Sequence, residues 1–328
     1  MSGTSAAAPS RAGRPVPAAL REAGGRLLAV LLLGTALALA SDTFLTAANI
    51  VNVLRQTSLL FILASGLTAV VITAGLDLSV GANIALSACL AGLAMKAGGS
   101  PLAGVATGLG TGALVGLLNG LMVSLLRIPS FIATYGMLWV LQGIAYAVMG
   151  GEAVYGFPRG FRMLGIGRML GLPVPVLGML ALLALGTLLL RRTVWGRQIY
   201  AIGGNAEAAR LSGVPVRRRL ILVYLGSGLA VGFASLVFLA RLNSAEADIG
   251  DTLTLPAIAA VLIGGASLFG GVGSLFGSFI GALLLTLVMN GMNLLDVNAN
   301  WQPLVTGTIV LLAVWLDLRT RRAGAPRT

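Results

Sequence analysis

The sequence predicts an all-α protein, a bundle of about ten helices that cross a membrane. Hydrophobic residues make up 57% of the 328 residues, only 10% are charged, and long apolar runs recur along nearly the whole chain. A soluble domain has about a quarter of its residues charged. This chain therefore has too few charged residues to cover a water-facing surface, and it is expected to be a polytopic membrane protein.

Each predicted span is an apolar run of roughly 20 residues, the length at which a helix crosses the hydrocarbon core. Together the spans form one transmembrane domain over residues 27–318, with tight turns expected at 75–78 and 270–274. The predicted spans are 27–44, 56–74, 78–96, 101–124, 131–150, 173–190, 220–240, 255–272, 274–292 and 302–318.

The two ends of the chain are expected to be tails. Residues 1–26 are rich in Ala, Pro, Ser and Arg, a composition typical of a disordered segment, and residues 319–328 form a short C-terminal tail. The run that follows residue 26 ends in Ala38-Leu39-Ala40, which resembles a signal-peptide cleavage site. Cleavage there would place the arginine-rich loop 191–219 outside the cell, so we expect an uncleaved first helix.

The basic residues predict the orientation of the bundle. With ten alternating spans and a cytoplasmic N-terminus, the whole net charge of +12 lies on the cytoplasmic side and the outer side is neutral. Cytoplasmic loops of membrane proteins carry such an excess of Arg and Lys. Both termini are therefore expected in the cytoplasm, and the positive charge reflects topology and not a nucleic-acid partner.

The composition excludes several kinds of chemistry. The chain has no His, a single cysteine (Cys89) and a single lysine (Lys96), and no P-loop motif surrounds that lysine. We therefore expect no disulfide, no metal site, no catalytic residues and no hydrolysis of ATP by this chain. Asp248 and Asp251 have the spacing of a metal-diphosphate motif, but they fall in a predicted external loop without a second acidic motif, where they could instead pair with a docking partner.

Glycines recur every fourth residue in two predicted spans, and we expect them to let neighbouring helices pack closely. The Gly-containing stretches 74–81 and 264–271 also hint at an internal duplication. The two ridges are Gly104, Gly108, Gly112, Gly116 and Gly120, and then Gly273, Gly277 and Gly281.

Uncharged polar residues inside the spans are candidates for a translocation path. Amides and hydroxyls suit a neutral solute rich in hydroxyl groups, and the near absence of intramembrane charge argues against coupling to protons or sodium. The alternative is that these residues bond helices to one another. The candidates are Asn83, Asn119, Thr134, Gln142, Asn290 and Asn293.

The loop 191–219 is expected to contain a short helix with both ends marked. Asn205 is a good N-cap, Glu207 suits the first turn, Gly213 can take the left-handed conformation after the last turn, and Pro215 stops the helix. A helix of two turns is marginal in water, so we expect it to dock onto something. The alternative is an ordinary connecting helix on the membrane surface.

Two resemblances follow from these residues. Glu207-Ala208-Ala209 with Gly213 resembles the first half of the EAA signature of ABC importer permeases. Over nearly all its length the chain is similar to the ribose-type family of simple-sugar permeases. The matching runs are 75–81 (GLDLSVG), 131–134 (FIAT), 203–213 (GGNAEAARLSG), 257–268 (AIAAVLIGGASL) and 290–295 (NGMNLL).

The resemblance implies a type II ABC importer permease in a bacterial inner membrane, importing a monosaccharide. It implies a cytoplasmic ATPase dimer that binds the ATP, a second permease subunit that is either the same chain or a sister chain, and an external solute-binding protein. It assigns the ATPase-coupling role to Gly204, Asn205, Glu207, Ala208, Ala209, Arg210, Leu211 and Gly213.

Four other functions are weighed against this one. The chain departs from the usual family pattern at Pro256 and Gln142, which leaves a related solute, such as a quorum-signalling autoinducer, as an alternative. A branched-chain amino acid permease shares the architecture, although a zwitterion needs charged partners that are scarce here. A stand-alone facilitator would carry solute without an ATPase, whereas a membrane transferase would need facing acidic sites that the sequence does not show.

Overall fold

The computed structural model describes residues 18–324, and this part of the chain is almost entirely helical. Its α-helices are α1 (Ala18–Ala40), α2 (Ala47–Ile72), α3 (Val80–Lys96), α4 (Pro101–Ser124), α5 (Ser130–Met149), α6 (Arg159–Ile166), α7 (Val174–Arg192), α8 (Val194–Gly204), α9 (Ala206–Leu211), α10 (Val216–Leu242), α11 (Thr254–Ile263), α12 (Leu275–Leu294) and α13 (Gln302–Gly324). The predicted all-α class is confirmed.

The strands are four short pieces that form two antiparallel pairs. β1 (Val154–Tyr155) pairs with β4 (Ser244–Ala245), and β2 (Arg168–Met169) pairs with β3 (Leu172–Pro173). A short 3₁₀ turn, Ala299–Trp301, precedes α13. The pairing of β1 with β4 ties the loop after α5 to the loop after α10.

Each of the ten predicted spans contains a helix. Six of these helices are long and apolar enough to cross a membrane, namely α2, α4, α5, α7, α10 and α12. Helix α3 has 17 residues and is shorter, because the chain leaves the helical path between Ile72 and Val80. The turn expected at 75–78 is therefore part of a longer non-helical segment, residues 73–79.

The prediction of a complete span at 255–272 is wrong. Helix α11 has 10 residues and ends at Ile263, so it is about 15 Å long and covers half of the hydrocarbon core. Residues 264–274 are irregular because Gly265, Gly270 and Gly271 have positive φ angles, which interrupt a helix. The expected tight turn at 270–274 is thus the end of this longer irregular segment.

The ends of the bundle extend beyond the predicted spans. Helix α1 begins at Ala18, so residues 18–26 of the predicted tail are helical, in line with the strong helix formers in 18–23. The rest of that tail, residues 1–17, lies outside the described residues. Helix α13 continues to Gly324, and the remainder of the predicted C-terminal tail, residues 325–328, also lies outside them.

Helices α2 and α10 lie at the centre of the bundle. Helix α2 packs against α7, α10, α11 and α12, and α10 also packs against α3, α4 and α6. Phe61 and Leu67 of α2 and Tyr224 and Val231 of α10 are almost fully buried in one apolar cluster. A second cluster, around Cys89 of α3, joins α3 to α4, α5 and α10.

The glycine ridge of α4 packs directly against α10, as predicted. A Cβ atom on Gly112 would lie 2.5 Å from the carbonyl oxygen of Gly228, and one on Gly116 would overlap the carbonyl oxygen of Tyr224. Glycines on both helices thus allow the two backbones to touch, which supplies packing where lipid gives little hydrophobic drive between helices. In the second ridge, Gly277 and Gly281 face α11 in the same way, whereas Gly273 precedes α12.

Two matched glycine substitutions on α4 test this contact. We expect Gly116→Ala to lower the free energy of unfolding by about 1–3 kcal/mol, because the added methyl group forces the α10 backbone away. Gly110→Ala is the control, since Gly110 has no atom within 4 Å of an added Cβ. The measurement is SDS-induced unfolding of the purified protein in mixed micelles. Equal stability of the two variants would contradict the close packing of α4 and α10.

Candidate functional site

The basic segment between α7 and α10 folds into two short helices, α8 and α9. The side chain of Asn205 accepts a hydrogen bond from the Ala208 N–H at 2.9 Å, which makes it the N-cap of α9. Gly213 has a φ of 82°, and its N–H donates to the Arg210 carbonyl at 3.0 Å. The predicted cap at Asn205 and left-handed glycine at Gly213 are confirmed, although the helix itself ends at Leu211.

Helix α9 presents most of its surface to the outside of the bundle. Ala209 is buried against the protein, whereas Leu211 is 74% exposed. Arg210 donates a hydrogen bond from its Nε to Glu207 at 2.9 Å, and this bond lowers the pKa of the Glu207 carboxyl. The other predicted coupling residues, Gly204, Asn205, Ala208 and Gly213, are also exposed.

The C-terminal end of α8 packs between two irregular segments of the bundle. A Cβ atom on Gly203 would overlap the carbonyl oxygen of Ile72, the last residue of α2. The same carbonyl accepts a hydrogen bond from the Gly271 N–H at 2.8 Å. In addition, the Tyr200 hydroxyl donates to the Gly273 carbonyl at 2.8 Å. Helix α8 therefore contacts both the segment before α3 and the segment before α12, which the sequence did not predict.

The segment 73–79 is held by side chains of helices α4, α5 and α10. Leu76 N–H donates to the Ser130 hydroxyl and Leu78 N–H donates to the Thr134 hydroxyl, each at 3.1 Å. The Tyr224 hydroxyl of α10 donates to the Leu76 carbonyl at 3.3 Å. Because buried backbone groups need hydrogen-bond partners, these bonds allow a non-helical segment to exist within the bundle.

Asp77 is the charged group of this segment, and it is almost fully buried. Its carboxylate accepts hydrogen bonds from the N–H and the hydroxyl of Ser79 at 3.0 and 2.6 Å. Asn119 of α4 donates to the Ser79 hydroxyl at 2.8 Å. Of the predicted path residues, Asn119 and Thr134 thus meet at the same segment and connect it to α4 and α5.

The remaining predicted path residues also make bonds within the protein. In α3, Asn83 accepts a hydrogen bond from Ser87 at 3.0 Å, and Asn290 of α12 exchanges hydrogen bonds with Asn49 of α2. Gln142 donates to the carbonyl of residue 247 at 2.9 Å, and Asn293 accepts from Gln302 at 3.0 Å. These contacts fit the alternative that such residues join helices, and their role in a path stays a prediction.

The chain that follows β4 does not form a simple surface loop. Residues 246–253, which we call the inward segment, run between the helices before α11 begins. The Thr254 hydroxyl accepts a hydrogen bond from Gly81 N–H at 3.0 Å, and Gly250 packs against the backbone of Gly81. Gly81 lies about 22 Å from the other end of α3 at Lys96, because a helix rises 1.5 Å per residue. The inward segment therefore reaches the first turn of α3.

The inward segment carries two exposed acidic side chains, Asp248 and Asp251. The Gln142 side chain of α5 lies near the Asp251 carboxyl group. Among the described residues, no group of three or more His, Cys, Asp and Glu side chains could hold a metal ion. Both acids are exposed, as the prediction of a solvated loop expects, but the segment that carries them packs against the first turn of α3.

The fold is a polytopic helical bundle with an exposed, capped helix at one end, an architecture compatible with a membrane transport permease. Comparison with known proteins agrees with this class. The family described as "Branched-chain amino acid transport system / permease component" matches residues 49–314. The chain belongs to this family, which consists of transport permeases and not of enzymes, and it is a multi-pass protein of the inner membrane.

Individual relatives are similar over nearly their whole length. The ribose import permease protein RbsC of Bacillus subtilis is 39% identical, and the match covers 89% of this chain and 92% of that protein. RbsC of Escherichia coli K12 is 41% identical with the same coverage. The xylose transport system permease protein XylH of Haemophilus influenzae is 35% identical, covering 90% of this chain and 96% of that protein.

These relatives confirm the resemblance to ribose-type permeases that the motifs indicated. No solved structure matches the chain.

Proposed function

We propose that this chain is the membrane-spanning permease of an ABC importer that carries a monosaccharide into a bacterial cell. The observation that carries this proposal is the similarity, over about nine tenths of the chain, to permeases named for ribose, xylose and allose. The protein's own residues support a neutral cargo, because the surfaces inside the membrane offer amides, hydroxyls and carboxylates but few cations. Such groups accept hydrogen bonds from sugar hydroxyls.

The proposal assigns the energy source to a partner. Helix α9, with Glu207, Arg210 and Leu211 exposed, is the part that docks onto a cytoplasmic ATPase dimer. The charge distribution places this helix and both termini in the cytoplasm, since the whole excess of basic residues then lies on that side. ATP is bound by the ATPase and not by this chain.

The contacts of α8 support a route by which a movement of the ATPase could be passed to the helical bundle. Helix α9 follows α8 directly, and Gly203 at the end of α8 touches the carbonyl of Ile72 and the backbone of Gly271. A displacement of α9 by the ATPase therefore reaches the segments that precede α3 and α12. Because those segments are irregular, they can change their backbone angles while the helices move as rigid bodies.

Two further partners complete the proposed importer. A second permease, either a copy of this chain or a sister chain, forms the other half of the path. An external solute-binding protein delivers the sugar to the outer loops, which include the paired strands β1 and β4.

Reconstitution tests the proposed function. We expect proteoliposomes that contain the permease, its ATPase and its binding protein to accumulate D-ribose, D-xylose or D-allose only when ATP is present on the ATPase side. Proteoliposomes that contain the chain alone are expected to show no sugar flux. ATP-independent flux through the chain alone would instead identify a stand-alone facilitator, and uptake of leucine but of no sugar would identify an amino acid permease.

A substitution on α9 tests the docking role. We expect Leu211→Asp to reduce the amount of ATPase that copurifies with the permease by about tenfold, because a charged group would replace an apolar contact in a desolvated interface. Leu170→Asp is the matched control, since Leu170 is 87% exposed but lies in the β2–β3 hairpin, on the other side of the membrane in the proposed orientation. The measurement is the ratio of the two proteins after affinity purification. Full copurification with Leu211→Asp would remove α9 from the interface.

A further inference from the structure

One exposed face of the bundle has an unusual composition for a surface inside a membrane. Helix α5 exposes four aromatic side chains, and Trp139, with 61% of its surface exposed, lies near the middle of the helix. Trp and Tyr in lipid-facing positions concentrate at the two membrane–water interfaces and not at the centre. The four residues are Phe131, Tyr135, Trp139 and Tyr146.

The exposed face of α7 shows what the lipid-facing surface of this chain looks like. Every large hydrophobic side chain exposed there is leucine, with Leu185 at 66% and Leu188 at 57%. Leucine is the composition expected of a helix against lipid tails. The contrast between α5 and α7 therefore indicates that the two helices face different surroundings.

The aromatic residues of α5 form a continuous ladder. The rings of Phe131 and Tyr135 are stacked with centroids 6.0 Å apart and planes 4° apart. Tyr135 and Trp139 follow edge to face at 6.3 Å. Since a helix turns about 100° per residue, the ladder lies on the side of α5 next to Gln142. The ladder therefore runs along the helix toward the residue that binds the inward segment.

The inward segment places carboxylates beside this ladder. Gln142 donates to the carbonyl of Ala247 at 2.9 Å and lies near the Asp251 carboxyl group, and both Asp248 and Asp251 are exposed. Gly250 contacts Gly81, so these carboxylates lie well below the outer surface. Exposed carboxylates at that depth face a water-filled cavity or a protein partner and not lipid, because charge in hydrocarbon is costly.

We propose that the ladder Phe131–Tyr135–Trp139 and the carboxylates of Asp248 and Asp251 form a wall of an aqueous path that binds a neutral sugar. The aromatic faces pack against the C–H faces of the sugar ring, and the carboxylates accept hydrogen bonds from its hydroxyl groups. This inference rests on the proposed function, because it names the residues that contact the cargo.

Single-cysteine labelling tests whether the exposed aromatic face of α5 is in contact with water. The native cysteine is buried, so Cys89→Ala provides a background into which Trp139→Cys, Tyr135→Cys or Leu185→Cys is introduced. The probe is a membrane-impermeant methanethiosulfonate, applied to both sides of proteoliposomes that hold the complete transporter. We expect the α5 cysteines to react at least about tenfold faster than Leu185→Cys, because a thiol ionises readily only in contact with water. Adding D-ribose, D-xylose or D-allose, whichever of them the transporter carries, is expected to slow this reaction.

Transport supplies the second measurement. We expect Trp139→Ala and Asp251→Asn to lower ATP-driven sugar uptake about tenfold while copurification with the ATPase is unchanged, whereas Leu185→Ala transports normally. Equal and slow labelling of Trp139→Cys and Leu185→Cys would overturn the proposal, because it would show that α5 faces lipid. A spontaneous disulfide between two copies of the Trp139→Cys chain, without labelling, would also overturn the proposal. It would show that this face is an interface between two permease subunits that excludes water.

Two results separate this inference from the proposed function. Fast labelling that no sugar slows, together with normal uptake by Asp251→Asn, would overturn the wall but leave sugar import standing. A wild-type complex that carries none of the three sugars would overturn both the proposed cargo and the proposed contact of α5 with a sugar. Fast labelling would in that case still show that this face of α5 is in contact with water.

Discussion

The requirement that most of this structure depends on is the pairing of backbone groups where the buried chain is not helical. Residues 73–79 leave the helical path between α2 and α3, yet the N–H groups of Leu76 and Leu78 donate to the hydroxyls of Ser130 and Thr134. A buried polar group without a hydrogen-bond partner costs roughly 2–7 kcal/mol, a large part of the stability of a small domain. Helices α4, α5 and α10 supply partners for this segment, and the glycine contact between α4 and α10 holds two of these helices together.

The irregular segments also make the proposed mechanism physically reasonable. A continuous helix transmits force but resists bending, whereas a segment such as 73–79 or 264–274 can change its backbone angles locally. Gly203 brings α8 into backbone contact with Ile72 and Gly271, where both segments begin or end. A small movement at α9 can then alter the positions of α3 and α12. The inward segment, whose Gly250 packs against Gly81 at the start of α3, links this movement to the wall beside α5.

The sequence predicted the helices well because apolar runs of membrane length are a strong signal, and it predicted the caps at Asn205 and Gly213 because their chemistry is local. It failed at 255–272, where the apolar character continues after Ile263 although glycines with positive φ end the helix. The inward segment was missed because its Asp residues suggest an external loop, and only the contact of Gly250 with Gly81 places it at depth. The polar residues Asn119 and Thr134 were expected in a path, but their partners lie on distant parts of the chain, which sequence spacing does not reveal.

Hydrogen–deuterium exchange of the detergent-solubilised protein tests most directly that the segment 73–79 is held by its side-chain partners. Local opening sets the exchange rate of each amide, so groups with buried partners exchange slowly. The structure predicts that the amides of Leu76, Leu78 and Ser79 exchange at least about 100-fold more slowly than those of the exposed helix α9, although 73–79 is not helical. Exchange in 73–79 as fast as in α9 would show that the segment is open to water, which would contradict the account.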